Sequence, residues 1–386
     1  MSNSAVALSY QPSLTNLEHN DQDNETNFTL QGVPICFANA LRRCMVSHIP
    51  VVQLSVDPDK KTSWVNLTRF HNEIIEERLL SIPVHTKQLD NLPGKYSLEI
   101  DVINESEHLL IITTEPQYFR IKNKETGKYM DDSEVARLFP NSAKTAMPID
   151  FLRLNAKIGN IPAPRLSLMA DFKVSTGGKD SKCTCVFVGM GNTMDPVLVK
   201  EAWEERERDM KVKNPAITKE EIGSEKRDFM ALDAQRYFKE NSFDFKMQMV
   251  GMYSWSEIGH LACEILDQML AKLAMDIETG IAMILPSNTT MEHSWDLKIG
   301  GDCYTVGKIL EWVLYVSYYL AKEMGGKMEV PVMSFCAFRK SHPHDDEATL
   351  RIAFLEETDK GEIQGYLLAG LNESRKVVRL MDGLFV

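Results

Sequence analysis

The chain has 386 residues, of which 44% are hydrophobic and 25% charged, and a formal net charge of -12. That length supports two or three ordinary domains, and that balance describes a soluble globular protein rather than a disordered or membrane-embedded one. The acidic excess argues against autonomous binding of DNA or RNA, which depends on clustered Lys and Arg. Seven cysteines, an odd number set mostly in apolar stretches, read as reduced buried thiols rather than a disulfide framework. The opening residues lack a signal-peptide layout, so an unsecreted protein is expected. The apolar run over 312–321 is too short to span a bilayer.

In chain order, residues 1–24 are polar and are predicted to form a mobile tail. From Phe28 the pattern becomes helical. Phe37, Ala40, Leu41, Cys44 and Met45 share one face, while Asn39, Arg42 and Arg43 point elsewhere. Pro50 closes this helix, and a strand is predicted over 51–56. A second helix over 72–80 ends before Pro83. Strands follow over 96–103 and 109–114, then an irregular, proline-containing section. Strict alternation at Leu166, Leu168, Ala170, Phe172 and Val174 marks a half-buried strand, which Gly177 and Gly178 turn towards a partner at 183–188. Residues 197–240 are rich in both signs of charge and read as a solvated helical insertion. Phe243, Phe245, Met247 and Met249 alternate as another strand.

Ser254 and Glu257 form the S-x-x-E capping box of a helix reaching about Met275, with Ile258, Leu261, Ile265, Met269 and Leu273 at helical spacing. A connector over 276–291 leads to a strand holding Trp295, Leu297 and Ile299. A helix from Thr305 carries Val306, Ile309 and Val313. Two strands, one over 333–338 and one holding Leu350, Ile352 and Phe354, precede a final helix. The expected class is α+β, in two similar tandem modules. The first comprises 25–84 and 241–275, interrupted by a mainly β insertion over 85–240; the second comprises 292–386.

Two segments carry a family resemblance. One includes Asn39-Ala40-Leu41-Arg42-Arg43; the other reads Asn72-Glu73-Ile74-Ile75-Glu76-Glu77-Arg78-Leu79-Leu80-Ser81-Ile82-Pro83. Together they resemble the opening of the α-like assembly subunits of multisubunit RNA polymerases: the bacterial α amino-terminal domain, the archaeal D subunit and the eukaryotic third-largest subunit. There a helix carrying N-A-L-R-R precedes an E-x-x-x-x-R-L-x-x-I-P segment. The last module resembles the smaller partner of the same heterodimer. Asp302-Cys303-Tyr304-Thr305-Val306-Gly307-Lys308-Ile309-Leu310 is similar to D-H-T-L-G-N-L-L. The stretch from Phe335 to His342-Pro343, followed by Leu350-Arg351-Ile352, is similar to F-A-G-Y-x-x-P-H-P and L-R-I. Both partners in one chain resemble the fused arrangement of large DNA viruses of eukaryotes.

The resemblance implies two dimerisation modules packed through long helices into an intramolecular pseudo-dimer. It implies a non-catalytic platform that binds the second-largest and largest polymerase subunits, meets DNA only through the complex, and uses neither cofactor nor membrane. Its expected setting is the host cytoplasm and the virion, with the nucleus as the alternative. Asn39, Arg42, Arg43, Glu76 and Arg78 are then subunit-interface residues. Ile258, Leu261, Ile265, Met269, Val306, Ile309 and Val313 pack the helices, and His342 and Pro343 form a family-motif turn.

Plainer readings stand beside these. Arg42, Arg43, Glu76, Glu77 and Arg78 also suit solvated helix faces. Cys183-Thr184-Cys185 has no further Cys or His nearby to close a tetrahedral metal site. His342, His344, Asp345 and Asp346 suit a polar turn. Gly189-Met190-Gly191 lacks the third glycine of a nucleotide loop, and no nucleophile elbow or H-E-x-x-H is present. A non-enzyme is expected; the alternative is a stand-alone α+β enzyme or regulator that shares the helix motif by chance.

Overall fold

Alternating apolar residues build antiparallel sheets in the computed structural model, which describes residues 10–57, 63–178, 182–301 and 303–386. Asp302 of the second motif lies outside these residues. The chain opens with a hairpin of β1 (Ser13–Asn20) and β2 (Glu25–Gln31), followed by helix α1 (Ile35–Ser47). Next come β3 (Pro50–Ser55), the short β4 (Val65–Asn66), α2 (Asn72–Leu80) and β5 (Tyr96–Ile103). Then follow β6 (Leu110–Thr113), β7 (Arg120–Asn123), α3 (Asp132–Leu138), β8 (Asp150–Leu154) and β9 (Arg165–Thr176).

The chain continues through β10 (Val186–Met194), α4 (Pro196–Lys213), α5 (Lys219–Ala231) and β11 (Phe238–Met249). The long helix α6 (Trp255–Glu278) leads to β12 (Ile284–Pro286), β13 (Ser294–Gly300) and α7 (Cys303–Leu314). A π-helical turn (Tyr315–Tyr319) extends α7; β14 (Met333–Arg339), β15 (Glu347–Phe354) and α8 (Lys360–Asp382) finish the chain.

The expected α+β class is the class observed. One sheet, ordered β1-β2-β11-β10, lies with α1 and α6; another, ordered β12-β13-β15-β14, lies with α7 and α8. Across the division α1 packs on α7 and α6 on α8, so residues from both halves merge into one apolar core. A second core belongs to the middle of the chain, where the sheet β3-β9-β5-β7 packs with α2, α3 and the β6–β8 pair. Trp203 and Phe229, with ring centroids 5.4 Å apart, anchor a small third core between α4 and α5.

Several expectations change in detail. Residues 13–20, expected in a polar tail, form a strand. Their side chains stay largely exposed, so the backbone ladder to β2 specifies the strand and no apolar period announces it. Residues 52–84, expected in the first module, instead supply Val52, Leu54, Ile75 and Leu79 to the middle core. The segment after Gly177-Gly178 does not return beside β9. Gly178 N–H donates to the Ser47 carbonyl at 2.7 Å, and the chain crosses to place β10 against β11. The charged stretch over 197–240 divides into the α4–α5 hairpin and the start of β11. The connector is partly ordered, because α6 runs to Glu278 and β12 pairs with β13.

The capping box forms as expected. Glu257 N–H donates to Ser254 Oγ at 3.2 Å and Ser254 N–H to Glu257 Oε2 at 2.8 Å, satisfying donors that the helix start leaves open. The buried stripe of α6, however, runs through Ile258, Ala262, Leu266, Leu270, Leu273 and Ile277; Leu261, Ile265 and Met269 are only half-buried. A helix held between α1 on one side and α8 on the other buries more than the single stripe that periodicity picks out.

Two close approaches use glycine for its missing side chain. A Cβ on Gly259 of α6 would lie 2.2 Å from the Phe385 ring, and one on Gly307 of α7 would lie 2.3 Å from Phe338. Phe385, from the end of the second half, thereby sits among Phe28, Trp255 and Gly259 of the first. Gly259→Ala is expected to destabilise the protein although Ala favours a helix over Gly by about 1 kcal/mol. Phe385→Ala should cost about 3 kcal/mol. Urea unfolding followed by tryptophan fluorescence measures both, and a neutral or stabilising Gly259→Ala would contradict the packing.

Candidate functional site

Helix α1 buries Phe37, Ala38, Leu41, Cys44 and Met45, which leaves Asn39, Arg42 and Arg43 on its flanks, each half-buried. The Arg42 Nε–H donates to Asn39 Oδ1 at 3.0 Å, so these two residues form one polar unit on the helix surface. Burial, and secondarily the charge of Arg43, lower the Arg42 guanidinium from its usual value. Arg43 turns the other way. Its Nε–H donates to Thr305 Oγ1 at 2.9 Å, joining the N-A-L-R-R helix to the first turn of α7. Thr305 is itself buried. Arg43, expected at the subunit interface, thus also ties the seam inside the chain.

Charged pairs flank the seam. Asp267 on α6 receives a forked pair from Arg375 of α8, Nε–H at 2.8 Å and Nη2–H at 2.9 Å, with Arg379 at 3.5 Å from its second oxygen. The hydrogen bonds from Arg375 hold the Asp267 carboxyl below the usual range. His260 Nδ1 lies 2.6 Å from Asp382 Oδ1 across the same helix pair. Tyr10 reaches from the amino-terminal segment to α7, where its hydroxyl accepts from Trp312 Nε1 at 3.1 Å. Sequence reasoning missed these pairs, since isolated charges on apolar helices carry no spacing signal that names a partner.

The predicted packing residues Ile258, Val306, Ile309 and Val313 are buried in the shared core, while Leu261, Ile265 and Met269 line its edge. Arg351 of the L-R-I motif stands opposite Asp296 in the β13–β15 register and forks onto it at 2.7 and 2.8 Å. His342 and Pro343 are exposed, with His342 N–H donating to Asp345 Oδ2 at 2.9 Å. The His342 and His344 rings stack with centroids 5.1 Å apart. Among the described residues no three His, Cys, Asp or Glu side chains group as a metal centre. Burial pushes the thiols of Cys36, Cys185 and Cys336 up to about 12 and that of Cys183 to about 11, far from thiolate chemistry at neutral pH. No described helix is long and apolar enough to cross a membrane.

Glu76 and Arg78 stand away from Arg42, on α2 of the middle body. Arg78 is exposed and donates from Nη2 to the Asp150 carbonyl at 3.4 Å, and Glu77 pairs with Lys182 at 3.4 Å. The structure therefore presents the five predicted interface residues in three settings: Asn39 with Arg42 on α1, Arg43 in the seam, and Glu76 with Arg78 on α2.

A double-mutant cycle of Arg43→Ala and Thr305→Ala should return about 1 kcal/mol of coupling in urea unfolding, and additive effects would remove the tie. The Asp267 contribution has a sign fixed by its lowered pKa. It is present above the unfolded-state value near 4 and lost as pH falls through the folded value, so Asp267→Asn should flatten the loss of stability below about pH 4. Comparison with protein-family models finds no match to this chain, and comparison with curated proteins finds none.

Proposed function

We propose that the chain is a non-catalytic assembly platform of a multisubunit DNA-directed RNA polymerase, carrying both α-like partners in one polypeptide. The observation that carries this reading is the meeting of its two motifs, where Arg43 of the N-A-L-R-R helix donates to Thr305 in the segment similar to D-H-T-L-G-N-L-L. Segments that resemble different members of one heterodimer come together across a helix crossing, as a functional fusion requires. The side-by-side packing of α6 and α8 in the shared core supports the same pseudo-dimer. Fusion replaces a bimolecular docking by an intramolecular one at an effective concentration on the order of millimolar.

The platform offers Asn39 with Arg42 on α1 and Glu76 with Arg78 on α2 to the second-largest and largest subunits. Those subunits hold the catalytic centre and bring the chain near DNA. The resemblance to a fused arrangement supports a setting in a large DNA virus of eukaryotes, with action in the host cytoplasm and the virion and the nucleus as the alternative.

Purification of the tagged chain from the cells that make it should bring down much larger polypeptides and DNA-templated RNA synthesis; a chain that elutes alone would overturn the reading. Arg42→Glu should lower recovery of the large polypeptides at least tenfold with an unchanged melting temperature. Arg43→Glu should lower both, because it also opens the seam. Cutting the exposed segment over 287–293 should leave the two fragments associated on gel filtration, held by the helices rather than by the connector.

A further inference from the structure

Strand β10 forms one edge of the first sheet, and it lacks the features that deter a neighbour at the other sheet edges. Proteins blunt exposed edges with charge, proline, bulges or shortness. Here β1 and β14 each have a bulge, β12 has three residues and ends in Pro286, β3 starts at Pro50, and β7 has four residues that include Arg120 and Lys122. Strand β10 is nine residues long, holds no proline and no charge, and pairs regularly with β11 from Val186 to Asn192. Among the described residues, no backbone group of 187–192 hydrogen-bonds outside that ladder, so alternate N–H and C=O groups point to the open side unpaired.

The two faces of the strand alternate. Phe187, Gly189 and Gly191 lie on the solvent face, where Phe187 is 63% exposed and a Cβ on Gly191 would meet nothing within 4 Å. Val188 and Met190 lie on the other face, half-buried against the shared core. We propose that this edge pairs with the same edge of a second copy, antiparallel about a two-fold axis through Gly189. That register sets Phe187 beside Gly191 of the second copy, the largest side chain of the strand against an empty position, and Val188 beside Met190. Gly189 meets itself, and Val186 meets Asn192, so the regularly paired stretch is used from end to end. A two-fold contact brings each group near its counterpart, and a strand without charge makes no like-charge pair. A docked helix would leave the backbone row unpaired, and a nucleic acid finds no cation on the strand. The pairing joins two four-stranded sheets into one of eight. It stands on the edge itself and is independent of the assembly reading.

Sedimentation of the purified full chain over about 1–100 μM should show a monomer–dimer equilibrium, and a monomer throughout overturns the proposal. Cysteine trapping tests the register. Directly opposed residues of an antiparallel pair have Cα atoms about 4.5–5.5 Å apart, within reach of a disulfide, whereas positions offset by four residues stand roughly 14 Å apart. With oxidised glutathione as the oxidant, Gly189→Cys should therefore give at least ten times the covalent dimer of Gly191→Cys. The unsubstituted chain supplies the background from the native thiols, and Gly191→Cys should link efficiently only when Phe187→Cys is added. Neither glycine has a positive φ, and a Cβ at either would meet nothing closer than 4.0 Å, so both variants should fold as the parent does, which melting temperature checks. Gly189→Lys sets like charges on the axis and should raise the dissociation constant at least tenfold, with the melting temperature of the dilute protein unchanged. Equal trapping at 189 and 191, preferential trapping at 191, or an association indifferent to Gly189→Lys overturns the proposal. None of these outcomes bears on the assembly reading, which recovery of the large polypeptides decides separately.

Discussion

The rest of the molecule depends on how closely α1 and α6 of one half can approach α7 and α8 of the other. Each half has a sheet that covers only one side of its helices, so the opposite sides are apolar and unstable in water unless they meet. Their contact merges two modest cores into one, anchored by Leu41, Leu266, Ile309 and Leu371. Glycine sets the approach at Gly259, where the Phe385 ring occupies the space of the missing side chain, and Gly307 gives the same room to Phe338 within the second half. Polar contacts then orient what the apolar contact brings together. The Arg43–Thr305 hydrogen bond and the Asp267–Arg375 fork bond groups that face each other only in the assembled arrangement. Half-buried ionic pairs of this kind add modest stability but penalise a mispaired helix, which fixes register more than it raises affinity.

Legibility in the sequence followed the strength of the local signal. The capping box at Ser254, the alternation in β9 and β11, and the apolar periods of α1 and α7 are strong enough to specify the α+β class and most element positions. What escaped depended on non-local pairing. The strand over 13–20 has no apolar period of its own and is defined by its neighbour. Nothing near Gly178 announces that β10 joins a sheet built largely from residues outside the middle body. The expected stripe on α6 shares Ile258 and Leu273 with the buried one but falls one residue short at Leu261, Ile265 and Met269, because a helix with partners on two sides loses the contrast that a hydrophobic period relies on.

The candidate site divides in the same way. Residue type predicted Arg42 and Arg43 as polar members of an apolar helix, but type alone does not distinguish an outward arginine from one turned into a seam; the partner Thr305 decides that for Arg43. Glu76 and Arg78 stood out through their motif, yet the surface groove that Arg78 lines between α2 and β8 owes a third of its wall to Ile149–Phe151, residues that carried no motif at all. Surfaces assembled from distant segments are where sequence patterns are weakest, since neither contributor looks unusual by itself.

One feature of the first sheet bears on how the chain is made. Strand β2 pairs along its length with β11, although the whole middle body and the α4–α5 hairpin separate them in sequence. During synthesis the amino-terminal hairpin must therefore wait, one margin unzipped, until β11 leaves the ribosome, while the middle body can collapse around its own core in the interval. Phe385 emerges long after Gly259 and fills the space beside it, so a segment made late latches an earlier helix in place.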